Sequence, residues 1–183
     1  MYEEASGVFL ATIVLVLIVI IIYIVSVRQK EVISAVSADN STELEADILK
    51  LVNETRAKGA TCGGVYKPPV DPLTWNDELA NAADGHSRDM ADKNYFSHTS
   101  LDGRTFVNRI TNSGYTGYKA VGENIAAGYN TASTVMNGWM NSPGHCSNIM
   151  DPTFSNLGVG YAYNSASDYK HYWTQDFGTK IIR

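Results

Sequence analysis

A basic stripe is missing from this chain. Its 14 lysines and arginines are outnumbered by 19 acidic residues, net charge is −5, and the two signs are interspersed. The electrostatic footprint of a nucleic-acid binder is therefore absent, and nucleic acid is not expected as a partner. Charge of either sign is scarce, at 18% of residues. No internal repeat or low-complexity run occurs. No short zinc motif such as a helical His-Glu-x-x-His is present, and nothing like a nucleophile elbow surrounds Ser142.

Cysteine is nearly absent too: only Cys62 and Cys146 occur. Two cysteines in an exported domain usually pair, and two in a cytosolic domain usually stay free. Both alternatives remain open at this level. A bridge would close a loop of about 85 residues, which the chain-entropy model values at about 4–5 kcal/mol.

The chain does have one long greasy run. Residues 7–27 carry no charge, and sixteen of them are Leu, Ile, Val or Phe. As a helix this segment spans about 30 Å, one bilayer core. Its insertion is favourable by on the order of 5–10 kcal/mol. A cleaved signal peptide wants a basic start and a shorter apolar core. Here the start is acidic (Glu3, Glu4) and the core is long, so a retained transmembrane helix is expected. Arg28 and Lys30 on its C-terminal side favour a cytoplasmic main domain. Glu31 beside them weakens that bias, and the cysteines favour export. The expected organisation is a short tail at residues 1–6, a transmembrane helix at 7–27, a juxtamembrane linker at 28–41 and a single domain at 42–183.

Within that domain, Thr42-Glu43-Leu44-Glu45 reads as a capping box opening a helix that carries Leu44, Ile48, Leu51 and Val52 and ends at Gly59. A loop with Cys62, Gly63, Gly64 and three prolines follows. A second helix is expected from Asn76, its inward stripe being Leu79, Ala83, His86 and Met90. Residues 99–118 read as a long surface loop, and 120–127 as a short strand around Glu123. Thr131 caps a third helix, Ser142-Pro143-Gly144 breaks it, and a short helix runs on through Ile149. The tail reads as a hairpin, with strands at 157–163 and 169–177. The pattern is α+β.

Four histidines occur. His98 and His145 each follow a helix end, and Glu123 lies between them in sequence inside an apolar stretch. A carboxylate there is costly without partners. His86, on the inward stripe, reads as a satisfied core or supporting residue, and His171 likewise among its strand aromatics.

His86-Ser87-Arg88-Asp89-Met90-Ala91 with Tyr95-Phe96-Ser97-His98, Gly122-Glu123-Asn124-Ile125-Ala126, the run from Trp139 to Met150, Gly158-Val159-Gly160-Tyr161 and the run from Tyr172 to Gly178 resemble, in order, five blocks of bacterial CAP domains. CAP is the group of cysteine-rich secretory proteins, antigen five and plant pathogenesis-related proteins. The resemblance runs from about residue 44 to the end. It implies an α-β-α sandwich with a small antiparallel sheet and a cleft lined by two histidines and two glutamates. Carried over, the histidines are His98 and His145 and one glutamate is Glu123. The second glutamate falls on Ser142, so the tetrad is incomplete. His86, Ser142 and Asn124 stand as supporting residues. The resemblance also implies a Cys62–Cys146 bridge pinning the segment that carries His145.

Two imidazoles and a carboxylate suit a divalent zinc-like ion with a fourth position for water. The alternative is a hydrogen-bonded cluster that fixes the cleft. The incomplete tetrad favours a non-enzymatic, membrane-anchored, extracytoplasmic module binding a lipid, glycan or peptide. The competing reading is a metal-dependent hydrolase acting on a cell-surface polymer or peptide.

Overall fold

The computed structural model describes residues 3–181, and within the first helix the side chains of residues 14–33 and of 42 onward. The chain divides into two units, Met1–Asn40 and Ser41–Arg183. Its elements are α1 (Glu3–Lys58), β1 (Ala60–Cys62), β2 (Val65–Lys67), β3 (Thr74–Trp75), α2 (Asp77–Lys93), α3 (Phe106–Asn112), β4 (Tyr118–Ala127), α4 (Ala132–Asn141), α5 (Pro143–Ile149), β5 (Asn156–Tyr163) and β6 (His171–Lys180).

The first unit is the helical stretch of α1 up to Asn40. Every side chain from Val14 to Val25 is aliphatic or aromatic and between 46 and 68% exposed. Among the described residues no helix is long and apolar enough to cross a membrane. The first seven side chains of the expected span at 7–27 lie outside the described residues, as do Met1 and Tyr2 of the expected tail. Residues 28–41, read from sequence as a linker, are helical, and Thr42 lies inside α1 rather than at a helix start. The reason is composition: no glycine or proline occurs between residues 8 and 58, so nothing interrupts the backbone ladder. Gly59 ends the helix at φ +75°, a conformation glycine reaches without a Cβ penalty.

The second unit is a three-layer α-β-α arrangement. A four-stranded sheet runs in the order β3-β5-β6-β4. β4, β5 and β6 pair antiparallel, and β3 adds parallel to β5, so the sheet is mixed rather than purely antiparallel. That parallel edge arises because the proline-bearing segment after β2 travels back along β5 before α2 begins. β1 and β2 form a separate hairpin across Gly63-Gly64.

Strand pleating decides which layer each side chain joins. In β5, Leu157, Val159 and Tyr161 join Ile48 and Val52 of α1, Val135, Met136 and Trp139 of α4, Ile149 of α5, and Trp173 and Phe177 of β6 in the main core. The alternate residues, Gly158 and Gly160, meet α2. A Cβ on Gly158 would lie 2.1 Å from the Ala80 nitrogen, and one on Gly160 2.1 Å from the Asp84 nitrogen. The helix backbone thus rests directly on the strand. Asn76 opens α2 by accepting from the Leu79 amide, and Leu79, Ala83, His86 and Met90 are all fully buried. Ser87 completes this contact, its hydroxyl 2.9 Å from both Gly160 O and Thr174 Oγ1.

Two buried devices tie α1 and the hairpin after it to the rest of the unit. Arg56 is fully buried and donates to four carbonyls: Asp71 (2.7 Å), Ile149 (2.7 Å), Asp151 (3.0 Å) and Phe154 (3.3 Å). The Cys62–Cys146 disulfide is formed across 84 residues and joins β1 to α5. Gly63 beside it packs on Pro143, where an added Cβ would lie 2.8 Å from the proline Cβ.

Gly160→Ala is expected to destabilise the chain by about 3 kcal/mol or more, because the new methyl meets backbone that no rotamer change can move. Guanidinium unfolding followed by circular dichroism measures it; a loss below about 1 kcal/mol would show that α2 does not rest on β5.

Candidate functional site

The site forms at the edge strand β4, where two successive side chains leave towards different layers. Glu123 points into the layer of α2 and α3; Asn124 points towards α5. The Glu123 side chain is 1% exposed and both oxygens are engaged. Oε1 is 2.7 Å from His98 Nδ1, and Oε2 accepts from Arg109 Nη2 at 2.6 Å. His98 sits beyond α2, and its ring is 52% exposed, so it bridges the buried acid to solvent.

Arg109 comes from α3, inside the stretch read from sequence as loop. Thr105 and Asn108 form a reciprocal capping box that starts this helix. Because N3 is Asn rather than Glu or Gln, the usual signature is weak. Arg109 is buried and donates to Ser100 Oγ (3.1 Å), Arg104 O (3.1 Å), His98 O (3.0 Å) and Glu123. It therefore fixes both the acid and the backbone that carries His98. Asp176 of β6 pairs across from Glu123 in the sheet and is wholly buried. Burial, then the facing Glu123 charge, push its carboxyl well above the ordinary range.

His86 supports the same cluster. It is fully buried, and its Nε2 is 2.9 Å from Ser97 O, next to His98. Burial lowers its pKa to about 4, so the ring is neutral near pH 7. Nε2 is then the donor and Nδ1 the bare nitrogen.

On the other side, Asn124 donates to His145 O (3.2 Å) and to Gln175 Oε1 (3.0 Å), and accepts from Asn148 Nδ2 (2.8 Å). This amide network and the disulfide at Cys146 position the α5 backbone that carries His145. His145 is half-buried, and burial followed by the charge of His98 lowers its pKa. The two rings thus lie within electrostatic reach of each other, but no hydrogen bond joins His145 to His98 or Glu123. Ser142 ends α4 and begins α5 with no side-chain cap, and among the described residues its hydroxyl contacts none of the three. His171 pairs with Tyr161 Oη at 2.8 Å on β6, away from the cluster.

The zinc-like ion expected of His98, Glu123 and His145 gains no support from this arrangement. Among the described residues no group of three or more His, Cys, Asp or Glu side chains could hold a metal. Both carboxylate oxygens of Glu123 are already engaged, Oε1 with His98 and Oε2 with Arg109. Arg109, Asp176, Gln175 and Asn148 were not singled out from sequence. The legible trace of Asp176 is an acid alternating with Thr174 between the aromatic residues Trp173 and Phe177.

Similarity to known proteins agrees with the fold. The sequence profile of the cysteine-rich secretory protein (CAP) family matches residues 49–177, and the chain belongs to that family as a bacterial-type member. It is 36% identical over 133 residues to the uncharacterized protein YkwD of Bacillus subtilis, covering 73% of this chain and 46% of that protein. It is 35% identical over 136 residues to the uncharacterized membrane protein YlbC of the same organism, covering 74% and 34%. The chain thus spans less than half the length of these relatives. Among solved structures, an extracellular Bacillus anthracis protein containing an SCP domain superposes with a TM-score of 0.63 at 33% identity, covering 76% of this chain and 41% of that one. An outer surface protein of Borrelia burgdorferi shares the fold, with a TM-score of 0.61 at 21% identity over 73% of this chain and 90% of that one.

Arg109→Met is expected to cost about 3–5 kcal/mol by leaving Glu123 buried against a reduced complement of donors. Adding Glu123→Gln to it should recover part of that loss, and additive losses in chemical denaturation would show that the two side chains are uncoupled. A second expectation concerns acid. With its folded pKa near 4 and an unfolded value near 6.5, His86 contributes stability that is complete above pH 6.5 and lost as pH falls towards 4. Unfolding in that window takes up about one extra proton. Comparing the pH slope of unfolding free energy with that of His86→Gln isolates it, and identical slopes would refute the assignment.

Proposed function

We infer that this chain is a membrane-anchored, extracytoplasmic CAP-domain protein that binds a ligand rather than turning one over. One observation carries the binding reading: both oxygens of the cleft carboxylate, Glu123, are committed to Arg109 and His98. A general base needs a free lone pair within reach of the proton it abstracts. The Glu123 side chain is 1% exposed and lies behind His98 and Arg109, so its remaining lone pairs are shielded from a substrate proton, and the position of a second carboxylate is filled by Ser142. Surrounding groups hold the cluster rigid: His86 braces Ser97, and Asn124 braces α5. Rigidity of this kind suits a preorganised recognition surface. The ligand classes that match the family are lipid, glycan or peptide.

The anchor reading rests on the apolar run. Residues 14–25 present exposed aliphatic and aromatic side chains, and together with residues 7–13 and 26–27 they make an uncharged stretch of one bilayer's length. A formed disulfide between Cys62 and Cys146 supports an oxidising compartment for the second unit. The opposing flanking bias is only two charges, Arg28 and Lys30.

Ser165 is exposed in the β5–β6 turn and serves as a reporter position. In a Ser165→Cys variant, a membrane-impermeant maleimide is expected to label intact cells. Labelling only after lysis would place the domain on the cytoplasmic side. On panels of peptide, ester and glycan substrates, the native chain should turn over no faster than His98→Ala, His145→Ala; turnover that disappears in that variant would establish an enzyme instead.

A further inference from the structure

We propose that the hollow between the end of β4 and the face of α4 is a subsite for a neutral oligosaccharide. This rests on the binding-module reading and names a ligand class and a place for it.

The hollow has a volume of about 410 Å³, within the range of small-molecule sites. It is separate from the Glu123 cluster, and none of its lining residues is ionised at neutral pH, so it makes no demand for a charged ligand. Its aromatic is Tyr129, 37% exposed. The Tyr129 backbone is anchored and its ring is seated against α4. Trp173 Nε1 donates to Tyr129 O at 2.7 Å. The ring's hydroxyl end rests on Gly138, where an added Cβ would lie 2.7 Å from both Cζ and Oη. The ring is therefore ordered before any ligand arrives.

Around the ring stand three amides. Asn141 Nδ2 donates to Asn137 Oδ1 at 3.3 Å, leaving the Asn137 amino group and the Asn141 carbonyl to face a ligand. The Asn130 side chain has no hydrogen-bond partner among the described residues. Each amide offers donors and an acceptor in one plane. Pairs of sugar hydroxyls, each both donor and acceptor, match that pattern, and the C–H face of a sugar ring matches the tyrosine.

Other ligands fit less well. An acyl chain would have to lie against unpaired amides, which is unfavourable. An extended peptide would seek the backbone ladder of β4. There, Ile125 O already accepts from Trp139 Nε1 and Glu123 O from Asn148 Nδ2, while the Gly128 amide donates to His171 O.

The test uses the full chain in a detergent without a sugar headgroup, titrated calorimetrically with cellotetraose and with chitotetraose. Binding of at least one is expected. Tyr129→Ala, and Asn137→Ala with Asn141→Ala, should each weaken it about tenfold. Gly138→Ala should weaken it comparably by displacing the ring while removing no polar group. Tyr129→Phe and the remote Ser165→Ala should retain it, and circular dichroism confirms folding of each variant. Binding unchanged in Tyr129→Ala and Gly138→Ala, or lost in His98→Ala instead, would overturn the subsite. So would binding of neither saccharide, which leaves the binding-module reading standing for lipid or peptide. Hydrolysis of either saccharide that depends on His98 would overturn both.

Discussion

The contact on which the second unit depends is the seating of α2 directly on β5. Gly158 and Gly160 present no side chain to the helix, and any Cβ there would overlap its backbone. Close approach brings dispersion contacts along the whole crossing and lets Ser87 reach Gly160 O and Thr174. It also sets the depth at which His86 lies. From that depth the ring reaches Ser97 O, and so fixes the start of the segment that delivers His98. Two glycines on one strand therefore govern a histidine far earlier in the chain.

The same layer carries an electrostatic problem. Glu123 and Asp176 are opposite one another on adjacent strands, both buried. Two carboxylates so placed do not both ionise. Burial and the facing Glu123 raise the Asp176 carboxyl well above its ordinary range, and Arg109 pairs with Glu123 at 2.6 Å. A buried pair of this kind contributes little net stability but is costly to break on one side. Its value is geometric: Arg109 also holds the carbonyls of His98 and Arg104, so the loop between α2 and α3 has one low-energy arrangement.

Much of this was legible in the sequence, for identifiable reasons. α2 could be read because Asn76 is a strong cap and its apolar stripe has helical period. Asn94, in the left-handed region, closes it. Strands β5 and β6 could be read from alternation and the turn between them. The contact of His98 with Glu123 follows a motif resemblance rather than any local pattern. α3 was missed because its capping box is made by Asn108, and its short apolar content is hidden among Thr, Asn and Gly. Arg109 was lost with it. His98 and Glu123 meet directly, while His145 is reached from β4 through its backbone carbonyl by Asn124, the residue after Glu123. The start at Thr42 was misplaced because local capping chemistry cannot outweigh an unbroken run of helix-compatible residues before it.

The treatment of β4 has a consequence for behaviour in company. It is an edge strand, and bare edges invite other chains to extend the sheet. Here, indole and carboxamide N–H groups from Trp139 and Asn148 already sit on its carbonyls. Copies crowded against one another would find two acceptors in the middle of this margin, the Glu123 and Ile125 carbonyls, already taken. Dense packing is thereby kept from becoming a seed for intermolecular sheet growth.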